Sequence, residues 1–260
     1  FLHSLASFFL LVLVPVPSRA LDPDLNVSQD AHTTWRVQDG YFSSAPRTIT
    51  QTSDGYLWIG TQSGLVRFDG SRFLPWTPPD GKSLPSSTIL SLLGAHDGSL
   101  WIGTRAGLAH FVNQKLVQFP DFHDRVYGIL EDASGNIWIS YQDDVKHSGG
   151  PICEVSGTTI HSLDKSDGVS ESASCGGPLV KDGSGNLWVG TDRDILRWRA
   201  GSPQTFRPAG LGNTDGLERV TSLTTELDGS IWVGTQSTRK GGFQLLTDGF
   251  LKSFSLPHLE

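Results

Sequence analysis

Short apolar runs separated by glycine-containing polar turns recur along most of the chain. In Asp54–Gly70, DGYLWIGTQSGLVRFDG, mostly apolar runs lie between Asp-Gly and Ser-Gly pairs. Because glycine accepts the positive φ of a tight hairpin turn, this pattern predicts successive antiparallel strands. The run Leu57–Ile59 is apolar at every position. A half-exposed strand would alternate, so this run predicts a strand that is covered on both faces.

The same pattern occurs five times, each time around a tryptophan. The copies are DGYLWIGT, DGSLWIGT, SGNIWISY, SGNLWVGT and DGSIWVGT, and their tryptophans are Trp58, Trp101, Trp138, Trp188 and Trp232. The tryptophans are 43, 37, 50 and 44 residues apart. A period of about 40–45 residues with four strands per unit is typical of a β-propeller. The sequence therefore predicts an all-β propeller of four-stranded blades, with five blade repeats present. The tryptophans are predicted to pack between blades, and the glycine after each apolar run is predicted to leave room for a neighbour's side chain.

The repeats divide the chain into three parts. Residues 1–20 are predicted to be a signal peptide, and 21–48 an N-terminal segment with a ring-closing outer strand at His32–Val37. The blades are predicted at about 49–80, 88–120, 126–165, 176–208 and 219–256, within 49–260. Since the fifth unit has its own fourth strand, we expect further units beyond Glu260.

The first twenty residues have the character of an export signal. Leu5–Val14 is apolar but shorter than the roughly 20 residues that span a bilayer. Small residues at Ser18 and Ala20 fit a cleavage site. An uncleaved membrane anchor is the alternative. The chain has no Met at position 1, so we expect its N-terminus to be incomplete.

Composition excludes several classes of partner. Hydrophobic residues make up 37% and charged residues 18% of the chain, which favours a folded domain. The formal net charge is −7 and no cluster of Lys and Arg stands out, so nucleic acid is not an expected partner. No metal-ligand spacing, P-loop or dinucleotide fingerprint occurs, and no cofactor is expected. Cys153 and Cys175 could form a disulfide in an exported protein; two free thiols are the alternative.

Candidate ligand-binding residues lie in loops predicted to share one face of the propeller. One set follows each repeated strand, and the other precedes each unit. The first set is Gln62, Arg105, Asp143, Asp192, Arg193 and Arg239, and the second is Arg47, Arg125 and Arg219. Several arginines near one mouth could bind an anionic group such as a uronic acid. For each of these residues, the alternative to ligand binding is a charged loop side chain that is simply exposed to solvent.

The repeated DG-x-LWIGT-x-x-GL-x-R-F pattern resembles the two-component regulator propeller repeat. The resemblance covers nearly all of the chain after residue 20, including Ala20–Gly40, which looks like the start of the mature sensor region in that family. Ser140-Tyr141 and Asp194-Ile195 depart from the pattern. The resemblance implies a ring that is usually seven-bladed. It also implies a periplasmic location on a membrane-anchored parent in the inner membrane.

The resemblance further implies the sensing part of a two-component receptor, most often a histidine kinase whose catalytic part lies outside these residues. A small-molecule or oligosaccharide ligand and a homodimer formed through the parent receptor are expected, and no catalytic residue is expected within this chain. The alternatives are a secreted propeller enzyme, such as a lyase or glycosidase, and a carbohydrate-binding or scaffold propeller.

Overall fold

The computed structural model describes residues 33–142, 150–167, 169, 176–199, 202–208, 219–236 and 242–254. The chain divides into two compact units, residues 1–35 and 36–260, and the sheets that the structure describes lie in the second. The predicted signal peptide lies outside the described residues. Among the residues that are described, no helix is both long and apolar enough to cross a membrane.

The described residues form five four-stranded antiparallel sheets, each with its strands in chain order. Blade 1 consists of β1 (Pro46–Gln51), β2 (Leu57–Thr61), β3 (Gly64–Phe68) and β4 (Phe73–Trp76). Blade 2 consists of β5 (Ile89–Gly94), β6 (Leu100–Thr104), β7 (Gly107–Val112) and β8 (Lys115–Gln118). Blade 3 consists of β9 (Arg125–Glu131), β10 (Ile137–Gln142), β11 (Ile152–Ser156) and β12 (Thr159–Ser162). Blade 4 consists of β13 (Gly176–Lys181), β14 (Leu187–Thr191), β15 (Ile195–Trp198) and β16 (Gln204–Phe206). Blade 5 consists of β17 (Arg219–Thr225), β18 (Ile231–Gln236), β19 (Gly242–Thr247) and β20 (Phe250–Phe254).

These sheets confirm the predicted all-β fold of four-stranded propeller blades. The first strand of each blade lies against the first strand of the next, from β1 through β5, β9 and β13 to β17. Most of the buried apolar residues that the structure describes fall into four clusters, and each cluster combines side chains of two consecutive blades. Trp58, Trp101, Trp138 and Trp188 each belong to a different cluster and are at most 7% exposed. These four tryptophans therefore pack between blades, as their repetition predicts.

The glycine after each apolar run makes close packing between blades possible. A Cβ on Gly60 would lie 2.6 Å from Ile89 Cγ2, and one on Gly103 would lie 2.8 Å from Val126 Cγ1. In blade 3 the corresponding residue is Ser140, and its hydroxyl donates to the main-chain oxygen of Gly177 in blade 4. The departure from the repeat at Ser140 is therefore matched by a glycine on the neighbouring blade.

The described residues of the predicted outer strand at His32–Val37 pair with no described strand, so the ring-closing strand stays a prediction. Thr33–Arg36 have no strand, and Val37–Asp39 form a single 3-10 turn that ends at Gly40 with φ 81°. His32 lies outside the described residues. A strand exists only where its main-chain groups pair with a neighbour, and no described strand pairs with this segment.

An acceptor six residues before the tryptophan holds the indole in four of the five blades. The indole N–H of Trp138 donates to Asp132 Oδ2 at 3.1 Å, and that of Trp58 donates to Thr52 Oγ1 at 2.8 Å. Asp182 and Glu226 accept in the same way in blades 4 and 5. In these four blades, the hydrogen bond connects the turn before the second strand to the tryptophan of that strand.

Asp132 makes this contact sensitive to acid. Partial burial raises the pKa of Asp132, but hydrogen bonds from Trp138, Asn136 and Ser134 outweigh it and lower the pKa to about 2. A carboxyl whose pKa is depressed on folding stabilises the fold above its unfolded pKa of about 3.9. That contribution is lost as the pH falls through about 2.

We expect Asp132→Asn to reduce the loss of stability between pH 4 and pH 2. Because the carboxylate is partly exposed, the difference should be on the order of 1 kcal/mol, or about 2–4 °C in the thermal midpoint. Thermal unfolding of both proteins at pH 4, 3 and 2 measures it. Identical pH profiles for the two proteins would contradict the role of Asp132.

Candidate functional site

The first strand of every blade is interrupted by a β-bulge at the same place. The register shifts between Pro46 and Thr48, Ile89 and Ser91, Gly176 and Leu179, and Val220 and Ser222, while in blade 3 it shifts around Tyr127. A bulge turns a side chain out of the regular alternation of the strand. The residues at the bulges are Arg47, Leu90, Tyr127, Gly177 with Pro178, and Thr221.

All of these bulge residues line one cavity of about 570 Å³. The cavity extends across the first strands of all five blades and is completed by residues at the ends of second strands. Its remaining lining residues are Arg125, Gln142, Gly176, Thr191, Asp192, Arg219, Val220 and Gln236. The volume lies within the range of about 300–1,000 Å³ that is usual for small-molecule sites.

Arginine and glutamine pair in the same way in blades 3 and 5. Arg125 stands opposite Gln142 across β9 and β10, and Arg219 stands opposite Gln236 across β17 and β18. Each arginine directly precedes the residue that pairs with the last repeat position, Tyr141 or Thr235. The repeat therefore presents the same donor and amide pair at two points around the cavity.

Blade 3 supplies a hydrogen-bonded group of three side chains. Tyr127 Oη donates to Gln142 Oε1 at 3.2 Å, and Arg125 Nη1 donates to the same oxygen at 3.5 Å. All three side chains are only partly buried. The amide oxygen of Gln142 thus accepts from two protein donors of the same blade, Tyr127 and Arg125.

The lining carries an excess of positive charge. Among the described residues it contains three arginines, Arg47, Arg125 and Arg219, against one carboxylate, Asp192. Arg47 and Arg219 are exposed side chains. Arg193 lies beside Asp192, with Nε 3.9 Å from Oδ2. The described lining therefore has more basic than acidic side chains, although the chain as a whole has a formal net charge of −7.

Blade 4 differs from blades 1 and 2 at the turn after the second strand, where those blades have Gly64 and Gly107. In this blade Asp194 replaces the usual glycine, and its main-chain N–H donates to Thr191 Oγ1 at 2.9 Å. Burial raises the pKa of Asp194, and hydrogen bonding from Thr191 and the charge of Arg207 oppose that shift. The carboxyl closes the turn after β14 and fixes Thr191 at the cavity wall.

The structure brings together four of the nine ligand-binding candidates proposed from sequence. Arg47, Arg125, Asp192 and Arg219 line the cavity. Gln62, Arg105 and Arg193 are exposed and are not among its lining residues. Arg239 and Asp143 lie outside the described residues.

Sequence reasoning missed Leu90, Tyr127, Gln142, Thr221 and Gln236. Gln142 and Gln236 could have been found, because they hold the position after the repeat that Gln62, Arg105 and Asp192 hold elsewhere. The bulge residues could not, since the extra residue leaves no mark in the hydrophobic pattern.

The structure describes one of the two cysteines that could form a disulfide. Cys153 is a free thiol that is 1% exposed, and Cys175 lies outside the described residues. Burial raises the pKa of Cys153 to about 12, although Ser162 and Tyr141 hydrogen-bond to it. The thiol therefore stays protonated and acts as a core side chain. In the part of the chain that is described, no three His, Cys, Asp or Glu side chains are grouped as metal ligands would be.

Comparison with known protein families matches residues 40–63 and 83–106 to the two-component regulator propeller. This match confirms the resemblance deduced from the repeats, and the chain carries two-component regulator propeller repeats. A comparison with curated protein sequences gives no match.

Solved structures with the same fold come from proteins of different function. The extracellular domain of a hybrid two-component system protein from B. thetaiotaomicron has a TM-score of 0.63 and 19% identity over 84% of this chain and 32% of its own. Virginiamycin B lyase from Staphylococcus aureus has a TM-score of 0.63 and 17% identity over 84% of this chain and 72% of its own. PorZ, a surface component of the type-IX secretion system of Porphyromonas gingivalis, has a TM-score of 0.56 and 15% identity over 81% of this chain and 34% of its own.

At these identities the likeness concerns the fold. The chain spans about a third of the length of the two-component extracellular domain that it matches. The chain therefore has the fold of a β-propeller and carries two-component regulator propeller repeats.

Proposed function

We propose that this chain is the ligand-sensing propeller of a two-component signal transduction receptor, located outside the cytoplasm and joined to a histidine kinase. The observation that carries the proposal is the cavity at which the bulges of all five blades meet. Support for the receptor class comes from the family match and from the likeness to the extracellular domain of a two-component protein.

The position of the cavity suggests how binding is converted into a signal. A ligand that contacts Arg47, Tyr127 and Arg219 touches blades 1, 3 and 5 at once. It therefore binds most tightly to one relative arrangement of those blades and shifts the population toward it. The energy available for signalling equals the difference between the affinities for the two arrangements.

The lining is suited to binding more than to covalent chemistry. Among the described lining residues, Tyr127 and Asp192 are the groups able to exchange a proton, and the Tyr127 hydroxyl already donates to Gln142. The likeness to virginiamycin B lyase concerns the fold at 17% identity. No observation on the described lining residues therefore favours a propeller enzyme.

Filling the cavity should abolish signalling without changing any charge. Thr221 is an exposed bulge residue that faces the cavity, so we expect Thr221→Trp to occupy the space of the ligand. The receptor is tested in its own bacterium by measuring transcription of its target genes on a panel of sugars and organic acids. The unmodified receptor should respond to at least one of them, and Thr221→Trp should lose at least nine-tenths of that response, about a tenfold reduction in ligand occupancy.

The matched control is Thr159→Trp, an exposed threonine on the outermost strand of blade 3 that lies away from the cavity. It should leave the response unchanged, and immunoblotting should show equal amounts of both variants. A normal response from Thr221→Trp, or a parent protein that has no transmembrane segment and no kinase or other output domain, would refute the proposal.

A further inference from the structure

We propose that an exposed apolar face of blade 5 is the docking surface for another propeller blade. Side chains alternate between the two faces of a strand, and residues that pair across neighbouring strands share a face. The apolar residues on the same face as Trp232, which we call the open face, are Trp232, Phe243, Leu245, Phe250 and Phe254. Phe243, Phe250 and Phe254 are exposed. Docking at this face concerns how the domain is assembled and does not depend on the ligand-sensing role.

Phe243 is exposed at a position that the other four blades bury. It stands opposite Gly234 in β18, and the residues at the same register position in blades 1 to 4 are Leu65, Leu108, Ile152 and Ile195. Those four side chains are at most 2% exposed, whereas Phe243 is 47% exposed. Each of the four belongs to an apolar cluster that it shares with the blade that follows its own. The burial of this position therefore comes from the following blade.

The glycine opposite Phe243 leaves a matching space. In blades 1, 2 and 4 a β-branched residue of the following blade packs over the glycine of the second strand: Ile89 over Gly60, Val126 over Gly103, and Val220 over Gly190. The three atoms nearest to a Cβ on Gly234 all belong to Thr221 and Ser222 of the same blade. No described side chain of another blade lies over Gly234 in this way. The open face therefore has the glycine of a blade junction without the side chain that covers it.

The described junctions specify the blade that would fit. The residue over the glycine stands at the start of a first strand, and an apolar residue follows it three positions later: Ile89 with Leu92, Val126 with Ile129, and Val220 with Leu223. In each case the later residue packs in the same cluster as the tryptophan of the preceding blade. The first strand of the docked blade therefore begins with Ile or Val and carries Leu or Ile three positions later. Such a blade removes the exposed aromatic side chains from water, which favours association.

Blade 1 does not meet this description. The residue of β1 in register with Ile89 is Pro46. β1 is also not packed against β17 in the way that consecutive first strands pack. On the side of blade 1 that faces away from blade 2, Phe73 already contacts the rings of Tyr41 and Phe42, which lie before β1. The occupant is thus neither blade 1 of the same chain nor blade 1 of a second copy, but a further blade that has the required first strand.

Thiol labelling of the protein in its own bacterium tests whether the open face is covered. Phe243→Cys and Phe254→Cys are each combined with Cys175→Ser, and a maleimide is added to the cells. Both new thiols should react at least about tenfold more slowly than that of Thr159→Cys, because a covered thiol reacts only when the structure opens locally. Thr159 is exposed on the outermost strand of blade 3 and serves as the matched control. Cys153 is buried and should stay unlabelled in every variant, which shows that the blades are folded.

Photo-crosslinking identifies the occupant. Benzoylphenylalanine at position 243 keeps an aromatic side chain in place, and mass spectrometry should find it linked to a first strand that begins with Ile or Val. Thiols at positions 243 and 254 that react as fast as the one at position 159 would refute the docking surface. A crosslink to blade 1, in the same chain or in a second copy, would also refute it, as would a crosslink to a lipid. Neither measurement involves the cavity, so a negative result here would leave the expected ligand response of the receptor unchanged.

Discussion

Gly94→Ala is expected to lower the free energy of unfolding by about 3 kcal/mol, because it forces two blades apart. A Cβ on Gly94 in β5 would collide with the main-chain oxygen of Gln51 in β1 and would lie 3.0 Å from its carbonyl carbon and 3.3 Å from Thr52 Cα. All three atoms belong to the backbone, so no side-chain rotation relieves the contact. The N–H of Gly94 also donates to Thr50 Oγ1 at 2.9 Å, and that bond would lengthen.

The matched control is Gly183→Ala in the turn before β14. Nothing lies within 4 Å of a Cβ at Gly183, so the added methyl group meets open space. This substitution should be neutral, or should stabilise the fold by up to about 1 kcal/mol because alanine reduces the conformational entropy of the unfolded chain. Urea denaturation of both variants measures the difference. A Gly94→Ala protein as stable as Gly183→Ala would show that the blades are not packed this closely.

Asp182→Ala should have a comparably large effect, about 2–4 kcal/mol, because one carboxylate there accepts four hydrogen bonds. Asp182 is 8% exposed. It accepts from Trp188 Nε1 at 2.8 Å, from Asn186 Nδ2 at 2.7 Å, and from the main-chain N–H groups of Ser184 and Asn186 at 2.9 Å each. Truncation leaves the indole and amide donors buried without this acceptor.

Asp69→Ala is the control for this prediction. Asp69 also accepts three hydrogen bonds, from the N–H and Oγ of Ser71 and from the N–H of Arg72, at 2.8–2.9 Å. It is exposed, so water replaces the lost acceptor and the cost should stay below about 1 kcal/mol. Asp182→Asn keeps one acceptor oxygen and should fall between the two. If urea denaturation showed the same loss of unfolding free energy for Asp182→Ala and Asp69→Ala, burial of Asp182 would not be the reason for its effect.

The class of fold could be predicted from the pattern of apolar runs and turns, because each blade is formed by one continuous segment of the chain. Its four strands follow one another in the chain, so turn chemistry and continuous apolarity mark them without knowledge of distant contacts. The glycine after each apolar run could also be interpreted, since its position beside a predicted buried strand implies close packing. Gly94 shows the limit of that reasoning, because its neighbour is the main chain of a residue 43 positions earlier.

The candidate site was predictable only in part, for a related reason. Arg47, Arg125, Asp192 and Arg219 were found because they stand at the ends of predicted strands. Tyr127 and Thr221 were missed because a bulge changes where a side chain points without changing the apolar pattern around it. Gln62 and Arg105 hold equivalent repeat positions but do not line this cavity, and a ligand-binding role for them stays a prediction.

The sequence alone determined that this protein is built from propeller repeats, because a repeated unit specifies its own strands and turns. It also determined which residues form the scaffold, because only structural positions recur in every copy. Only the tertiary structure decided where the repeats face one another and which loop charges meet. The charges at the cavity come from blades that are far apart in the chain, and their proximity depends on how the first strands pack.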